Sequence, residues 1–450
     1  MNIVRGESKV RIAVFVILAL LVQIPWVTLV YGIFNDDENN DIVSPPGVVS
    51  PGSDLQDGQP GDINQPVITT PTPPLPPSPV ESIYDIYQIN QEVYEQLDAL
   101  SEQFNTVAVS ITAFDGDRGD FFTYTYGLEE LGTELQTSID TKYRVASISK
   151  IAVAICTMAL VDAGLLDIDA DISDYLGYSV RNPNYPNTPI TARMLMQHTS
   201  SICDTEAFNI PPGGTRSSNE QLLQLDMTYR NREPGERYEY TNFGTSVLAA
   251  VCELVYGKTF DIIAREILFA PLGIDAAFDS NRLINKDNIA VLYNERHERT
   301  RSVERHFDSK DSGEILGHDN HLAQGNLTIT TLDFAVMLAM LNNDGVYRNV
   351  RILSQESARE INNANTQGAL YNQGFFTRLS PIAFMPTGQA YWHTGNAYGL
   401  FAQFIYAADG TNRGVVVIAV GADSQRTADN RIVVCNEMSA LAFTLLNGEG

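Results

Sequence analysis

The chain has 450 residues, 44% of them apolar and 19% charged, which is the balance of a globular protein with at least one large core. Its 29 Lys and Arg against 55 Asp and Glu give a net charge of −26, and so acidic a surface repels phosphate backbones. We therefore expect no nucleic-acid partner. Four cysteines without a Cys-x-x-Cys pair are too few for a disulfide scaffold. Outside the cytoplasm they could form one disulfide, and the sequence does not indicate which two would pair.

The N-terminal region has the pattern of a membrane anchor. Residues 1–11 carry Arg5, Lys9 and Arg11, residues 12–34 form an uncharged apolar run, and acidic residues follow at once. About 20 apolar residues span a bilayer, and positive charge before the run predicts a cytoplasmic N-terminus with the rest of the chain on the periplasmic or extracellular side. The run exceeds the usual signal-peptide core, so we favour an uncleaved anchor. A cleaved signal, giving a secreted protein, is the alternative.

Residues 35–82 are predicted to be an acidic, proline-rich linker. Eleven of the 21 prolines lie between Pro45 and Pro79, and no Lys or Arg occurs from residue 12 to residue 117. Proline lacks an amide donor and favours extended backbone, so this stretch is typical of a semi-rigid, solvated spacer. The folded domain is then expected over residues 83–450.

Hydrophobic periodicity predicts strands at both ends of this domain and helices between them. A single sheet built from the two ends of the chain, with a helical insertion, accounts for that order. We therefore predict an α/β (α+β) fold with a mainly antiparallel sheet flanked by helices, the sheet lobe from residues 84–165 and 320–450 and the helical lobe from 166–320. The expected helices are 83–104, 147–163 and 428–446, and the expected strands are 106–114, 121–126, 390–393, 400–407 and 414–421.

Ser147 and Lys150 begin the apolar helix predicted at 147–163. Residues three apart lie on one face of a helix, which places the Lys150 amine beside the Ser147 hydroxyl. A serine hydroxyl needs a base to become a nucleophile, and a desolvated lysine can be that base. Taken alone, the pair is equally typical of a helix-capping serine followed by a surface lysine.

Two further segments carry chemistry-bearing side chains. Tyr240 and Asn242 lie two apart on a loop after Pro-Gly; a phenol can relay a proton and a carboxamide can hold a lysine or a substrate carbonyl. His393 to Asn396 follow a predicted strand, where glycine permits close approach by a ligand and a backbone amide can complete an oxyanion hole. Each segment alone is also compatible with an ordinary turn or strand end.

In this order, Ser-x-x-Lys, Tyr-x-Asn and His-Thr-Gly resemble the motifs of the serine β-lactamase and penicillin-binding protein superfamily. The chain is most similar to the branch of class C β-lactamases, D-alanyl-D-alanine carboxypeptidases, D-aminopeptidases and esterases. Flanking phrases at 161–169, 190–200 and 324–327 match as well, so the resemblance covers roughly residues 84–446. It implies a β-lactamase/transpeptidase-like fold.

The resemblance also implies the roles of the site residues. Ser147 is the nucleophile that becomes acylated, and Lys150 and Tyr240 share the proton transfers of acylation and deacylation. Asn242 orients Lys150 and the substrate amide, and the backbone amides of Ser147 and Asn396 hold the oxyanion. The residues expected to bind substrate are Asn242, His393, Thr394, Gly395 and Asn396.

The expected function is therefore a serine hydrolase that acts through an acyl-enzyme on Ser147. Its substrates are small amides or esters, such as D-amino-acid peptides, cell-wall peptides among them. A non-turnover penicillin-binding or cell-wall-sensing domain is the alternative, because fold does not imply function.

The chain departs from the family pattern at several positions. His393 replaces the lysine of dedicated β-lactamases, which is a permanent cation for a substrate carboxylate, whereas a histidine is often neutral at pH 7. This departure argues against efficient β-lactam hydrolysis and leaves peptidase, aminopeptidase and esterase activities open. The other departures are Thr241, Ser201 and Gln324.

Several other residues are given structural roles. The spacing of His306, His318 and His321 matches no zinc pattern, so no metal and no cofactor is expected. His198 is interpreted as structural, and the pattern around Cys156 favours a core position.

Overall fold

The computed structural model describes residues 85–86, 91–208, 217–308, 315–318, 321–368, 370–428 and 430–447. The predicted basic region (1–11), apolar run (12–34) and linker (35–82) lie outside the described residues. Within the described part, no helix is long and apolar enough to cross a membrane.

The strands of the described residues are short in the middle of the chain and long at its two ends. They are β1 (Asp85–Ile86), β2 (Ala108–Asp115), β3 (Asp120–Gly127), β4 (Tyr143–Arg144), β5 (Leu292–Tyr293), β6 (Arg299–Arg301), β7 (Thr328–Ile329), β8 (Val346–Tyr347), β9 (Val350–Arg351), β10 (Thr366–Gln367), β11 (Asn372–Gln373), β12 (Arg378–Pro381), β13 (Gln389–Ala397), β14 (Leu400–Ala407) and β15 (Arg413–Val420).

The α-helices are numbered separately, and single turns of 3₁₀ or π helix occur between them. The α-helices are α1 (Gln91–Gln103), α2 (Lys150–Asp162), α3 (Ile172–Leu176), α4 (Ala192–Met196), α5 (Asn219–Leu223), α6 (Phe243–Tyr256), α7 (Phe260–Ala264), α8 (Ala270–Leu272), α9 (Val303–Asp308), α10 (Thr331–Asn342), α11 (Gln355–Ile361) and α12 (Val433–Thr444). The single turns are Ala146–Ser149, Asp226–Thr228, Arg265–Phe269, Ser280–Arg282, His321–Gln324 and Leu445–Asn447.

One large sheet organises the described residues. Its nine strands run in the order β1-β3-β2-β15-β14-β13-β12-β11-β10, and every pair except β1–β3 is antiparallel. The N-terminal hairpin joins the C-terminal strands through β2 and β15, which pair from Ala108↔Val420 to Asp115↔Arg413. This is the predicted mainly antiparallel sheet built from both ends of the chain.

Helices cover both faces of this sheet. On one face, α1 and α12 pack over a core that includes Leu97, Trp392 and Met438. On the other face, α10 packs against β2 and β15, and its core continues into α2 and α6. All eight residues of β14 are buried, as expected for a strand covered on both faces.

Several predicted boundaries are corrected. The helix predicted from residue 83 begins at Gln91, because Asp85–Ile86 pairs instead with β3 at the sheet edge. The strand predicted at 390–393 continues to Ala397, since its pairing with β14 extends to a turn at Tyr398 and Gly399. Both turn residues have positive φ, +56° and +75°, as tight hairpin turns require.

Candidate active site

Ser147 lies in the 3₁₀ turn Ala146–Ser149, directly before α2. Ala146 has φ +52°, a left-handed conformation that is costly for a residue with a side chain. The Ser149 hydroxyl helps to hold the turn, since it donates to the Ala146 carbonyl at 2.6 Å and accepts from the Leu327 amide at 3.2 Å. Ser149 is fully buried, so Ser147 is the serine of this turn that a substrate can reach.

Strand β13 lies against the same turn. A Cβ atom on Gly395 would be 2.6 Å from the Val145 carbonyl oxygen and 3.3 Å from the Ala146 Cβ, so only glycine permits this approach. Pairing between β12 and β13 ends at Arg378↔Trp392. The edge of β13 beyond this point adjoins the Ser147 turn.

Ser147, Lys150 and Tyr240 form one hydrogen-bonded group. The Tyr240 hydroxyl donates to Ser147 Oγ at 2.8 Å, and Lys150 Nζ lies 3.4 Å from the same oxygen. Lys150 is completely buried, which contradicts the surface-lysine interpretation. Among the described residues it makes no ion pair; its other contacts are Asn242 Oδ1 at 3.0 Å and the Gln324 carbonyl. Each of these partners is an uncharged oxygen that accepts a hydrogen bond from the amine.

Asn242 connects this group to a residue that the sequence analysis did not single out. Asp204 accepts hydrogen bonds from the Asn242 amide at 2.8 Å, from Asn242 Nδ2 at 2.9 Å, from the Phe243 amide at 2.8 Å and from the Thr241 hydroxyl at 2.9 Å. Asp204 comes 37 to 39 residues before these donors, and no local motif marks it.

The His198 ring packs against the Tyr240 ring. Its ring centroid lies 4.6 Å from that of Tyr240, and its Nδ1 accepts from the Thr241 amide at 3.3 Å. Burial, together with the positive charges of Lys150 and Arg378, lowers the pKa of His198 well below 6.5. The neutral ring is thus part of the packing around the site.

His393 is likewise a buried, neutral ring, with 1% of its surface exposed. Its Nδ1 lies 2.8 Å from the Thr394 carbonyl, and since a carbonyl only accepts, this nitrogen carries the proton. Burial, with Arg378 and Lys150 nearby, lowers the pKa of His393 well below 6.5. His393 therefore supplies no cation in place of the family's lysine.

Arg378, which the sequence analysis did not identify, supplies a cation beside the His-Thr-Gly segment. The guanidinium is 7% exposed, lies 4.7 Å from the Tyr371 ring centroid and 5.1 Å from that of Trp392, and donates from Nη1 to Thr394 Oγ1 at 3.5 Å. Within the described residues it has no carboxylate partner. Only the register of β12 on β13 brings it here, which the spacing along the chain does not indicate.

The structure therefore brings together Ser147, Lys150, Tyr240 and Asn242, with His393 next to them. Thr394 is half-buried and Asn396 is exposed on β13. Their substrate-binding roles, and that of Gly395, stay predictions. In the described ranges, no cluster of His, Cys, Asp or Glu is arranged to hold a metal ion. The thiols of Cys156, Cys203, Cys252 and Cys435 are buried and unbridged.

Comparison with known proteins gives the family. The Beta-lactamase family model matches residues 97–434, and the chain belongs to this family. Its members are serine hydrolases that act through an acyl-enzyme.

The relatives are distant. Penicillin-binding protein 4 of Amycolatopsis lactamdurans is 26% identical over 181 residues, which are 40% of this chain and 46% of that protein. The D-alanyl-D-alanine-carboxypeptidase/endopeptidase AmpH of Escherichia coli K12 is 25% identical over 37% of this chain and 43% of its own length. The chain thus spans less than half the length of these curated relatives. An octameric penicillin-binding protein homologue from Pyrococcus abyssi shares the fold, with TM-score 0.61 and 20% identity over 80% of this chain and 78% of that one.

Proposed function

We propose that this chain hydrolyses small peptides or esters that carry a carboxylate near the scissile bond, D-amino-acid peptides among them. The observation that carries the chemistry is the Ser147 hydroxyl, which lies 2.8 Å from the Tyr240 hydroxyl and 3.4 Å from the buried Lys150 amine. A nucleophile, a proton-accepting pair and an adjacent strand edge are the parts that acyl transfer requires.

In the proposed reaction, Ser147 Oγ attacks the substrate carbonyl and its proton passes to the Lys150–Tyr240 pair. The backbone amides of Ser147 and Asn396 are proposed to stabilise the oxyanion. When the C–N or C–O bond breaks, the same proton goes to the leaving group, and an ester links the substrate acyl group to Ser147. Water then attacks this ester and gives one proton to the pair. The pair passes that proton to Ser147 Oγ as the ester C–O bond breaks, which releases the acid and restores the serine hydroxyl.

Arg378 supports the choice of a substrate with a carboxylate. A buried guanidinium without a carboxylate partner in the described residues favours an anionic ligand, and its planar fork fits a carboxylate. His393, buried and neutral, does not offer that charge. The name of the AmpH relative, a D-alanyl-D-alanine-carboxypeptidase/endopeptidase, agrees with such a substrate.

The test compares two substrates that differ only in charge. An acylated Lys-D-Ala-D-Ala peptide with a free C-terminus should be cleaved by the purified protein, and its C-terminal amide should be cleaved at least about 10²-fold less efficiently, the range for truncating one partner of a buried charge pair. Ser147→Ala should abolish both reactions. A single acylation burst without further turnover would instead indicate the penicillin-binding or sensing alternative, and equal rates would contradict carboxylate recognition.

We also propose that the catalytic domain acts outside the cytoplasm, held to the membrane through residues 12–34. The uncharged run and its flanking charges support this topology. The protein should resist alkaline extraction from membranes, and external protease should reach the domain in spheroplasts. A mature soluble chain that begins after residue 34 would indicate a cleaved signal.

A further inference from the structure

The two carboxylate oxygens of Asp204 accept hydrogen bonds from different groups. Oδ1 accepts the backbone amides of Asn242 and Phe243 and the hydroxyl of Thr241, at 2.8 to 2.9 Å, and so holds the first turn of α6. Oδ2 accepts from a single side-chain group, Asn242 Nδ2, at 2.9 Å. The hydrogen bond to Oδ2 connects Asp204, through the Asn242 side chain, to the hydrogen-bonded group of Ser147, Lys150 and Tyr240.

A carboxylate only accepts hydrogen bonds, so it can face only the NH₂ end of the Asn242 amide. The amide oxygen must then point the other way, where it accepts from Lys150 Nζ at 3.0 Å and from the Tyr240 hydroxyl at 3.4 Å. With the amide reversed, an NH₂ group would face two donors, and Lys150 would keep only Ser147 Oγ and the Gln324 carbonyl as polar contacts.

We propose that Asp204 is a positioning residue for the hydrolytic reaction: it fixes the orientation of the Asn242 amide, and through it the placement of Lys150 and Tyr240 on Ser147. The inference rests on the proposed function of this site. In the described part of the chain, the carboxylate of Asp204 accepts hydrogen bonds from Thr241, Asn242 and Phe243 and from none of the three reacting side chains, so its effect on the reaction passes through Asn242.

The segment that carries Asp204 is itself held in place. The Cys203 amide donates to the Thr228 carbonyl at 2.9 Å, and Ser201 adopts the left-handed conformation with φ +64°. On the other side, the Glu239 amide donates to the His198 carbonyl at 2.7 Å, which ties the Tyr240 loop to the same segment. Asp204 and Asn242 thus meet between two anchored pieces of backbone, the arrangement that precise positioning needs.

The test is an exchange of the two side chains. Asp204→Asn places an amide against the Asn242 amide, and we expect kcat to fall about 10²-fold, the cost of a misplaced catalytic group, with KM little changed. Asn242→Asp alone puts two carboxylates together and should also be impaired. The double variant Asp204→Asn/Asn242→Asp restores one donor facing one acceptor at unchanged total charge. Because it and Asn242→Asp both place a carboxylate beside Lys150, the two are compared with each other, and the kcat of the double variant should be at least about tenfold higher.

Asp261→Asn is the matched control. Asp261 also accepts backbone amides, those of Phe278 and Asp279 at 2.6 and 3.0 Å, and it lies 3.5 Å from the Arg282 guanidinium; none of these partners belongs to the site. Its variant should lose stability and keep kcat. Thermal unfolding is recorded for every variant, and rates are measured below the lowest transition, so destabilisation is separated from mispositioning. If Asp204→Asn does not fold, the kcat of the double variant relative to that of Asn242→Asp still tests the proposal.

A double variant no faster than Asn242→Asp, or an Asp204→Asn variant with wild-type kcat, overturns the proposal. Ser147 labelling by a fluorophosphonate probe gives a second readout that needs no turnover. A wild-type protein that is labelled but does not hydrolyse substrate contradicts the proposed function. The order of labelling rates among the Asp204 and Asn242 variants still decides the role of Asp204.

Discussion

The Lys150 amine lies 5.2 Å from the centre of the Tyr240 ring, and both side chains contact the same oxygen of Ser147. Asn242 Oδ1 accepts from both of them as well. Two side chains that share both the Asn242 acceptor and the Ser147 oxygen form one unit, in which neither can move without affecting the other.

Removing either member of this unit should therefore slow the reaction without additivity. Lys150→Ala and Tyr240→Phe should each lower kcat by about 10²- to 10⁴-fold, the usual range for positioned acid–base groups. The double variant should be little slower than the slower single, because residues that act as a unit are not additive. Single-turnover kinetics on a nitrophenyl ester measure this. Effects that multiply cleanly would show two separate proton paths.

Arg378→Met should raise KM for a carboxylate-bearing peptide by about 10²-fold and leave a neutral ester nearly unaffected, because only the former loses a charge-assisted contact. His393→Asn should show much less of this selectivity, since its ring is buried and neutral. Arg359→Met is the control, because Arg359 pairs with Asp344 at 2.9 Å on the exposed surface. An equal loss for both substrates in Arg378→Met would assign that arginine to packing.

Gly395→Ala should damage the site through the backbone. The added methyl would lie 2.6 Å from the Val145 carbonyl oxygen, so β13 or the Ser147 turn must shift. We expect a loss of about 1–3 kcal/mol in unfolding free energy, as for an overpacked core, and a fall in kcat of about 10²-fold. Gly388→Ala is the comparison, since a Cβ there meets no atom within 4 Å, although its φ of +72° makes alanine mildly strained. Wild-type kcat in Gly395→Ala would show that the turn tolerates displacement.

His306 should make the stability depend on pH. The side chain is fully buried, and burial, with Arg301 and Arg144 nearby, lowers the pKa of His306 to about 3. A folded-state pKa below the unfolded value near 6.5 means that stability is complete above pH 6.5 and is lost as pH falls towards 3. Between pH 7 and 5 this one group should remove about 2 kcal/mol.

The matching variant is His306→Leu. Urea unfolding of both proteins at pH 7 and 5 isolates the histidine, because the other titrating groups are common to both. The difference in unfolding free energy between wild type and variant should shift by about 2 kcal/mol in favour of the variant at pH 5. An unchanged difference would mean that His306 has the same pKa in the folded and the unfolded protein.

Local spacing predicted the parts of the site that depend on neighbouring residues. Ser147 and Lys150 meet because residues three apart share a helical face, and Tyr240 and Asn242 lie on one loop. Asp204, Arg378 and the contact of the Gln324 carbonyl with Lys150 were not predicted, because loop packing and strand register bring these groups to the site. Lys150 and Gln324, for example, are 174 positions apart in the chain.

The same distinction holds for the fold. The alternating pattern of β2 and the long apolar runs of β14 and β15 predicted those strands to within about two residues. The extension of β13 to Ala397 depends on its partner Leu400, and the edge pairing of Asp85–Ile86 depends on β3. Both strand boundaries depend on pairing with another strand, and the local pattern of residues does not indicate such pairing.

The pairing of β2 with β15 has a consequence for biosynthesis. Ala108 pairs with Val420, about 300 residues later in the chain, so the central strands of the sheet can pair only after β15 has been synthesised. Contacts this distant in sequence slow folding, because the loop-closure entropy is lost before the pairing stabilises the chain. A ribosome that stalls before residue 413 would release a chain with an exposed strand edge at β2, so premature termination late in the gene should yield aggregated rather than partly active protein.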